Sequence, residues 1–284
     1  MECSIVVDSC RSPFCEFSSR YTWKKLLHTA LCIQQLDPSF DRSRLGLGKD
    51  PKEATKEYYS LVSTMVTCHD DLLDSLEGIE CLMCEAVYLV NDGSLRRALA
   101  CLRRASTLAQ FMGLHRIHQP RTIKKHDATT RVSCTVIWNH IAYLERYISL
   151  LLGMPSSTPR VRFATEEKGP EEISSEWFEK VQIEVCQQII DRNQDQNHKF
   201  ATTQKIDHEL NRVANSLSTN WWSPMELRPG TKESDIVSRV ISAQMQIIHY
   251  NLLTVLHLPY LIHDPSDHRF DYSKITCTYS SREV

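Results

Sequence analysis

Glycine is what this chain has least of. Its 284 residues include eight glycines, where average usage of about 7% would supply about twenty. That scarcity argues against phosphate-cradling glycine loops and repeated tight hairpins, and it favours helices. No charge of one sign dominates either: 33 Lys and Arg face 35 Asp and Glu, a net charge of -2. Nucleic-acid-binding domains are usually markedly basic, so a DNA contact here would have to be local. The opening residues MECSIVVDSCR lack the basic start and apolar run of a secretory signal. Long hydrophobic runs are missing as well. Residues 243–262 carry no formal charge over the length of a membrane span, but Gln244, His249, Asn251, His257 and Pro259 interrupt them, so they read as a core helix. No segment alternates with the period of two that a half-buried strand needs.

Cysteine, by contrast, is plentiful. The count of eleven is odd, and Cys32, Cys81, Cys84, Cys101, Cys134 and Cys186 fall inside helical patterns, where they behave as small hydrophobes. The expectation is a reducing, intracellular compartment.

The chain is organised around Glu77 to Arg116, which reads as two amphipathic helices joined by one polar turn. Ile79, Leu82, Met83, Ala86, Val87 and Val90 keep the three-and-four spacing of one helical face. Asn91-Asp92-Gly93-Ser94 supplies turn chemistry, with Ser94 as the expected N-cap. Leu95, Ala98, Leu99, Leu102, Ala105, Leu108 and Met112 then repeat the spacing, and Gly113 stands where a left-handed C-terminal cap belongs. A link this short predicts antiparallel packing.

Residues 1–20 read as irregular, and 21–284 as one helical domain. Trp23, Leu26, Leu27, Ala30 and Leu31 mark a first helix that Asp37-Pro38 stops. Asp50-Pro51-Lys52-Glu53 opens a second, with Ala54, Tyr58, Leu61, Val62 and Met65 expected inward. Val132, Val136, Ile141, Leu144, Ile148 and Leu151 mark a long helix ending at Gly153-Met154-Pro155. Residues 154–172, with Pro155, Pro159, Pro170 and mixed charges, are the expected surface connection. Helices follow over 173–190, 206–217 and 236–258, with Trp221-Trp222-Ser223-Pro224 as a stop, and 272–284 reads as the start of one more that the chain leaves incomplete. The expected fold is all-α, an array of roughly eight to nine mostly antiparallel helices around the central αα-hairpin. No 34-residue period recurs, which argues against a tetratricopeptide scaffold.

Three patterns invite chemistry. Asp70-Asp71-Leu72-Leu73-Asp74 has the form DDxxD, in which carboxylates on one helical face of all-α isoprenoid synthases hold magnesium against a diphosphate. A magnesium-dependent terpene or prenyl synthase using Asp70, Asp71 and Asp74 is therefore the alternative reading, although the facing second metal motif such enzymes need is not found. Cys81 and Cys84 form the sole C-x2-C pair and have no second pair. Cys68 beside His69 points in a different direction and has no evident catalytic partner. Arg96, Arg97, Arg103 and Arg104 recur at seven-residue spacing and form a candidate partner surface, with Arg103 assigned to the solvent face. No catalytic residue, metal ligand, DNA-contacting residue or cofactor is expected.

Glu77-Gly78-Ile79-Glu80, Tyr88-Leu89-Val90-Asn91, Leu95-Arg96-Arg97-Ala98, Leu108-Ala109-Gln110 and Met112 to Arg116 together resemble the middle homology region of fungal zinc-cluster transcription factors. The resemblance extends through Trp138, Tyr143 and Arg146-Tyr147 to Leu152-Gly153-Met154-Pro155, and then through Trp221-Trp222 and His257-Leu258-Pro259-Tyr260-Leu261. It implies an all-helical regulatory domain, a nuclear location, and binding rather than catalysis: contact with other transcription proteins or a small effector, with homo-oligomers allowed and no membrane. Members carry a six-cysteine zinc cluster ahead of this region. Cys3, Cys10 and Cys15 are too few and wrongly spaced for one, so the chain reads as the regulatory part without the DNA-binding part.

Overall fold

The computed structural model describes residues 16–37, 39–116, 133–159, 175–195, 200–223, 232–262 and 266–284. The described residues form nine α-helices and no strand: α1 Glu16–Gln34, α2 Pro51–Val62, α3 Leu76–Asn91, α4 Leu95–Phe111, α5 Cys134–Leu151, α6 Ser175–Gln194, α7 Phe200–Ser216, α8 Glu233–Leu261 and α9 Asp271–Glu283. The all-α expectation holds. Cys3, Cys10, Cys15, Pro38, Val132, Pro224 and residues 160–172 of the predicted connection lie outside the described residues. The chain divides into two compact units, Met1–Ile148 and Ser149–Val284.

In the first unit α3 is the hub. Helix α1 packs on α2 and α3, and α3 packs on α4. Cys101 Sγ meets the Leu82 carbonyl at 3.3 Å, while Ala109 clusters with Leu76 and Ile79. Late residues of α4 thus meet early residues of α3, and the hairpin is antiparallel as predicted. Gly93 (φ 76°) and Gly113 (φ 82°) close the two helices in left-handed conformations that residues with a Cβ avoid. At the first, Ser94 N donates to Leu89 O and Gly93 N to Val90 O. At the second, Leu114 N donates to Ala109 O and Gly113 N to Gln110 O. Both are the paired six-to-one and five-to-two bonds of a Schellman cap.

Several local expectations are corrected. Helix α1 begins at Glu16, inside the segment 1–20 read as irregular. Ser94 occupies the N-cap position of α4, but its hydroxyl bonds Asp92 Oδ2 at 3.2 Å and caps no amide. Leu61 and Met65 face solvent. After Val62 the chain takes a π-helical turn, Ser63–Thr67, in which Cys68 N reaches back five residues to Ser63 O, and this wider turn carries Val66 and Thr67 inward instead. On α5 Ile141 and Ile148 are buried as predicted, but Val136 and Leu151 are exposed, and Ile137, Trp138, Glu145 and Arg146 are buried beside them.

In the second unit α8 packs against α6, α7 and α9. Phe178, Ile183, Val185 and Ile189 of α6 and Ile206, Leu210 and Val213 of α7 are buried, as are Leu252 and Leu256 of α8. The stretch read as the start of one more helix forms α9, seated on α8 through Ser273, Cys277 and Ser280. Among the described residues no helix is long and apolar enough to cross a membrane.

Candidate functional site

Three of the four arginines of the stripe hold partners within the first unit. Arg97 donates to the Tyr59 hydroxyl at 2.7 Å and lies over its ring, 5.6 Å from the centroid. Arg103 pairs with the fully buried Glu145 at 3.5 Å. Arg104 grips Asp70 Oδ1 through Nε at 2.8 Å and Nη2 at 2.6 Å, and it also donates to the Thr67 carbonyl. Arg96 is exposed. Arg103 is therefore not the free solvent residue expected, because α4 turns that side toward α5.

The acidic motif does not have the geometry its alternative reading needs. Asp70 and Asp71 sit on a single 3₁₀ turn, Asp70–Leu72, and Leu73 between them and Asp74 is fully buried. Carboxylates on so short a turn present no common helical face, and Asp70 is already committed to Arg104. The C-x2-C pair is equally unsuited to zinc. Burial pushes the Cys81 thiol up to about 12 and the Cys84 thiol up to about 11, which disfavours the thiolates a zinc cluster requires. Among the described residues no group of three metal-capable side chains converges. Cys68 Sγ donates to Thr64 O at 2.8 Å, and His69 is exposed.

The second unit holds a polar centre that the pattern of residues did not announce. Asp207 of α7 accepts from His257 Nε2 and Asn211 Nδ2, each at 3.0 Å, and from the Tyr272 hydroxyl at 2.9 Å. His257 Nδ1 stands 3.0 Å from Ser273 Oγ. With the Nε2 proton on Asp207, Nδ1 is left to accept from the serine. Hydroxyl, imidazole and carboxylate follow the order of a hydrolase relay, but Ser273 is wholly buried, so no substrate reaches its oxygen. Nearby, the buried Arg192 donates to Thr203 Oγ1 at 3.0 Å and to the Leu256 carbonyl at 2.7 Å, and Thr203 bonds Tyr260 Oη at 2.8 Å. Burial pulls the Arg192 guanidinium down from its ordinary value. His257 and Tyr260, two residues of the carboxy-proximal motif, thus lock α8 to α7 and α9.

The tryptophan pair packs rather than opening a ligand platform. Trp221 meets Phe178 edge-on at 5.0 Å, and Trp222 meets His249 at 5.1 Å and donates Nε1 to Ala214 O at 3.2 Å. The Tyr88-to-Asn91 motif is structural in the same way. Tyr88 stacks on Tyr59 at 4.7 Å, and Asn91 Nδ2 donates to Gln34 Oε1 at 3.2 Å.

One concavity in the first unit has the size of a small-molecule site. It is a groove of about 680 Å³ where the end of α1, the start of α2 and the end of α3 meet. Ile33, Leu36 and Pro51 form apolar wall, and Lys52, Lys56 and Asn91 bring polar groups to it. Gln34 Nε2 donates to Tyr88 O at 3.3 Å, which ties α1 to α3 across its floor.

No protein-family model matches this chain, and no solved structure matches it. Curated proteins do. Transcription factor sdnS of Sordaria araneosa is 35% identical over 267 residues, covering 92% of this chain and 34% of the relative. A dehydrocurvularin biosynthesis regulator of Aspergillus terreus is 34% identical over 268 residues, covering 91% of this chain and 36% of the relative. Transcription factor eupR of a Phoma species is 33% identical over 243 residues, covering 84% and 52%. The chain is a relative of fungal transcription regulators. It spans about a third of the length of the first two. These names lend no support to an isoprenoid synthase.

Proposed function

We propose that this chain is the helical regulatory segment of a fungal transcription regulator that controls a biosynthetic gene set. The observation that carries the reading is the collinear similarity over about nine tenths of the chain to proteins named as transcription factors and biosynthesis regulators. The mode of action is binding. The most active-looking constellation, Asp207, His257 and Ser273, is sealed inside the second unit and serves packing. Partners are other transcription proteins or a small effector, self-association included, and the working compartment is the nucleus. By the resemblance to zinc-cluster regulators, sequence-specific DNA contact belongs to a separate cysteine-rich module rather than to these helices.

Deletion of the gene in its host, followed by transcript profiling under conditions where it is expressed, tests the reading. A coordinated change in a set of biosynthetic transcripts is expected. An unchanged profile would overturn it.

A further inference from the structure

We propose that the groove between the end of α1, the start of α2 and the end of α3 binds a small organic anion with an apolar body. Its volume of about 680 Å³ lies in the range that encloses a small ligand. The lining is two-sided in its chemistry. Ile33, Leu36 and Pro51 offer apolar contact, while Lys52 and Lys56, four residues apart on α2, occupy one helical face at the opening. Both ammonium groups are exposed and have no partner among the described residues. Their neighbours are otherwise engaged: Lys49 pairs with Glu57, and Asp50 caps α2 by accepting from Lys52 N at 2.7 Å.

The one acidic lining residue, Asp92, accepts from Ser94 Oγ at 3.2 Å at the far end of α3. Two lysines against one aspartate leave the rim net positive, which selects an anion over a cation. The floor is already braced. Asn91 and Gln34 bond each other, and the buried Tyr88 stacks on Tyr59, so the groove does not depend on a ligand for its shape. A carboxylate between the two ammonium groups and an apolar body against Ile33 and Leu36 satisfy both halves of the lining. The inference rests on the regulatory reading only for its use, since an occupied groove alters the surface that α1, α2 and α3 present.

The test uses the whole chain with 1-anilinonaphthalene-8-sulfonate as an anionic apolar probe and 4-phenylbutyrate and its methyl ester as competitors. Saturable probe binding is expected, displaced by 4-phenylbutyrate and roughly ten-fold less well by the uncharged ester. The Lys52→Gln/Lys56→Gln variant, whose exposed side chains fold without cost, is expected to bind the probe roughly ten-fold more weakly. Hydrogen exchange should slow at residues 51–56 and 88–92 when 4-phenylbutyrate is added. Equal binding by the double variant, equal competition by ester and acid, or protection confined to other segments overturns the proposal. Such a failure leaves the transcript experiment untouched, and a failed transcript experiment leaves the binding result untouched.

Discussion

His257 Nε2 and Asp207 Oδ1 stand 3.0 Å apart, with the imidazole buried and fifty positions of sequence between them. The carboxylate takes three donors at once, from α7 itself, α8 and α9. It is an acceptor that three helices share. Asp207→Ala strips the partner from a buried imidazole and should lower the stability of the chain by roughly 3 kcal/mol, read as a fall in the urea midpoint. Ser273→Ala, which removes one hydrogen bond, should cost about 1 kcal/mol. Equal losses from the two would show that the carboxylate is not the centre.

His249 supplies a pH dependence. Burial among Phe178, Trp222 and Tyr250 pushes its imidazole down to about 4, against a smaller upward pull from Asp207. The folded chain therefore holds His249 neutral, while the unfolded chain binds a proton below about 6.5. Stability from this residue is complete above that value and is lost as pH falls toward about 4, on the order of 3 kcal/mol in all. Urea titrations between pH 7.5 and 4.5 should show the decline, and His249→Phe should flatten it. An unchanged slope in the variant would assign the acid sensitivity elsewhere.

The two sides of α4 should respond differently from what its charge pattern alone suggests. Leu99→Asp puts an unpaired carboxylate into the first core and should abolish folding. Arg103→Asp sets a second carboxylate against the buried Glu145 and should cost roughly 2 kcal/mol or more. Arg96→Asp, on the exposed face, should stay within about 0.5 kcal/mol. Thermal melts of the three variants give the order, and an Arg103 variant as stable as the Arg96 one would dissolve the Glu145 pairing.

Gly78 is required for space rather than for backbone freedom. A Cβ there would stand 2.6 Å from Leu73 Cα and 2.9 Å from its carbonyl carbon, both backbone atoms that cannot swing aside. Gly78→Ala should therefore destabilise by roughly 2 to 3 kcal/mol despite the better helix propensity of alanine. A gain in melting temperature would mean that α3 and the preceding turn are not in contact as described.

The helices were legible in the sequence wherever apolar spacing and end signals agreed. Asp50-Pro51 opens α2, with Asp50 accepting from Lys52 N, and Ala98, Leu99, Leu102 and Ala105 face the core as their spacing predicts. Glu85, Glu145, Arg146 and Arg192 defeated the same reading, because a periodicity rule sends charged residues to solvent. What holds such groups inside is a partner distant in sequence: Tyr59 and Ser63 for Glu85, Arg103 for Glu145, Leu256 and Thr203 for Arg192. The groove was invisible for a related reason. It is assembled from the ends of three helices, and no single motif spans it.

The wide turn at Ser63–Thr67 absorbs one residue more than an α-turn holds. Taking one residue out of that stretch would close it to an ordinary helical turn and leave the direction of the chain beyond it nearly unchanged. The Thr67 carbonyl and Asp70, both held by Arg104, would keep facing α4. Leu73 would keep its place against Gly78. This short stretch is therefore where the first unit best accommodates a change of one residue in chain length.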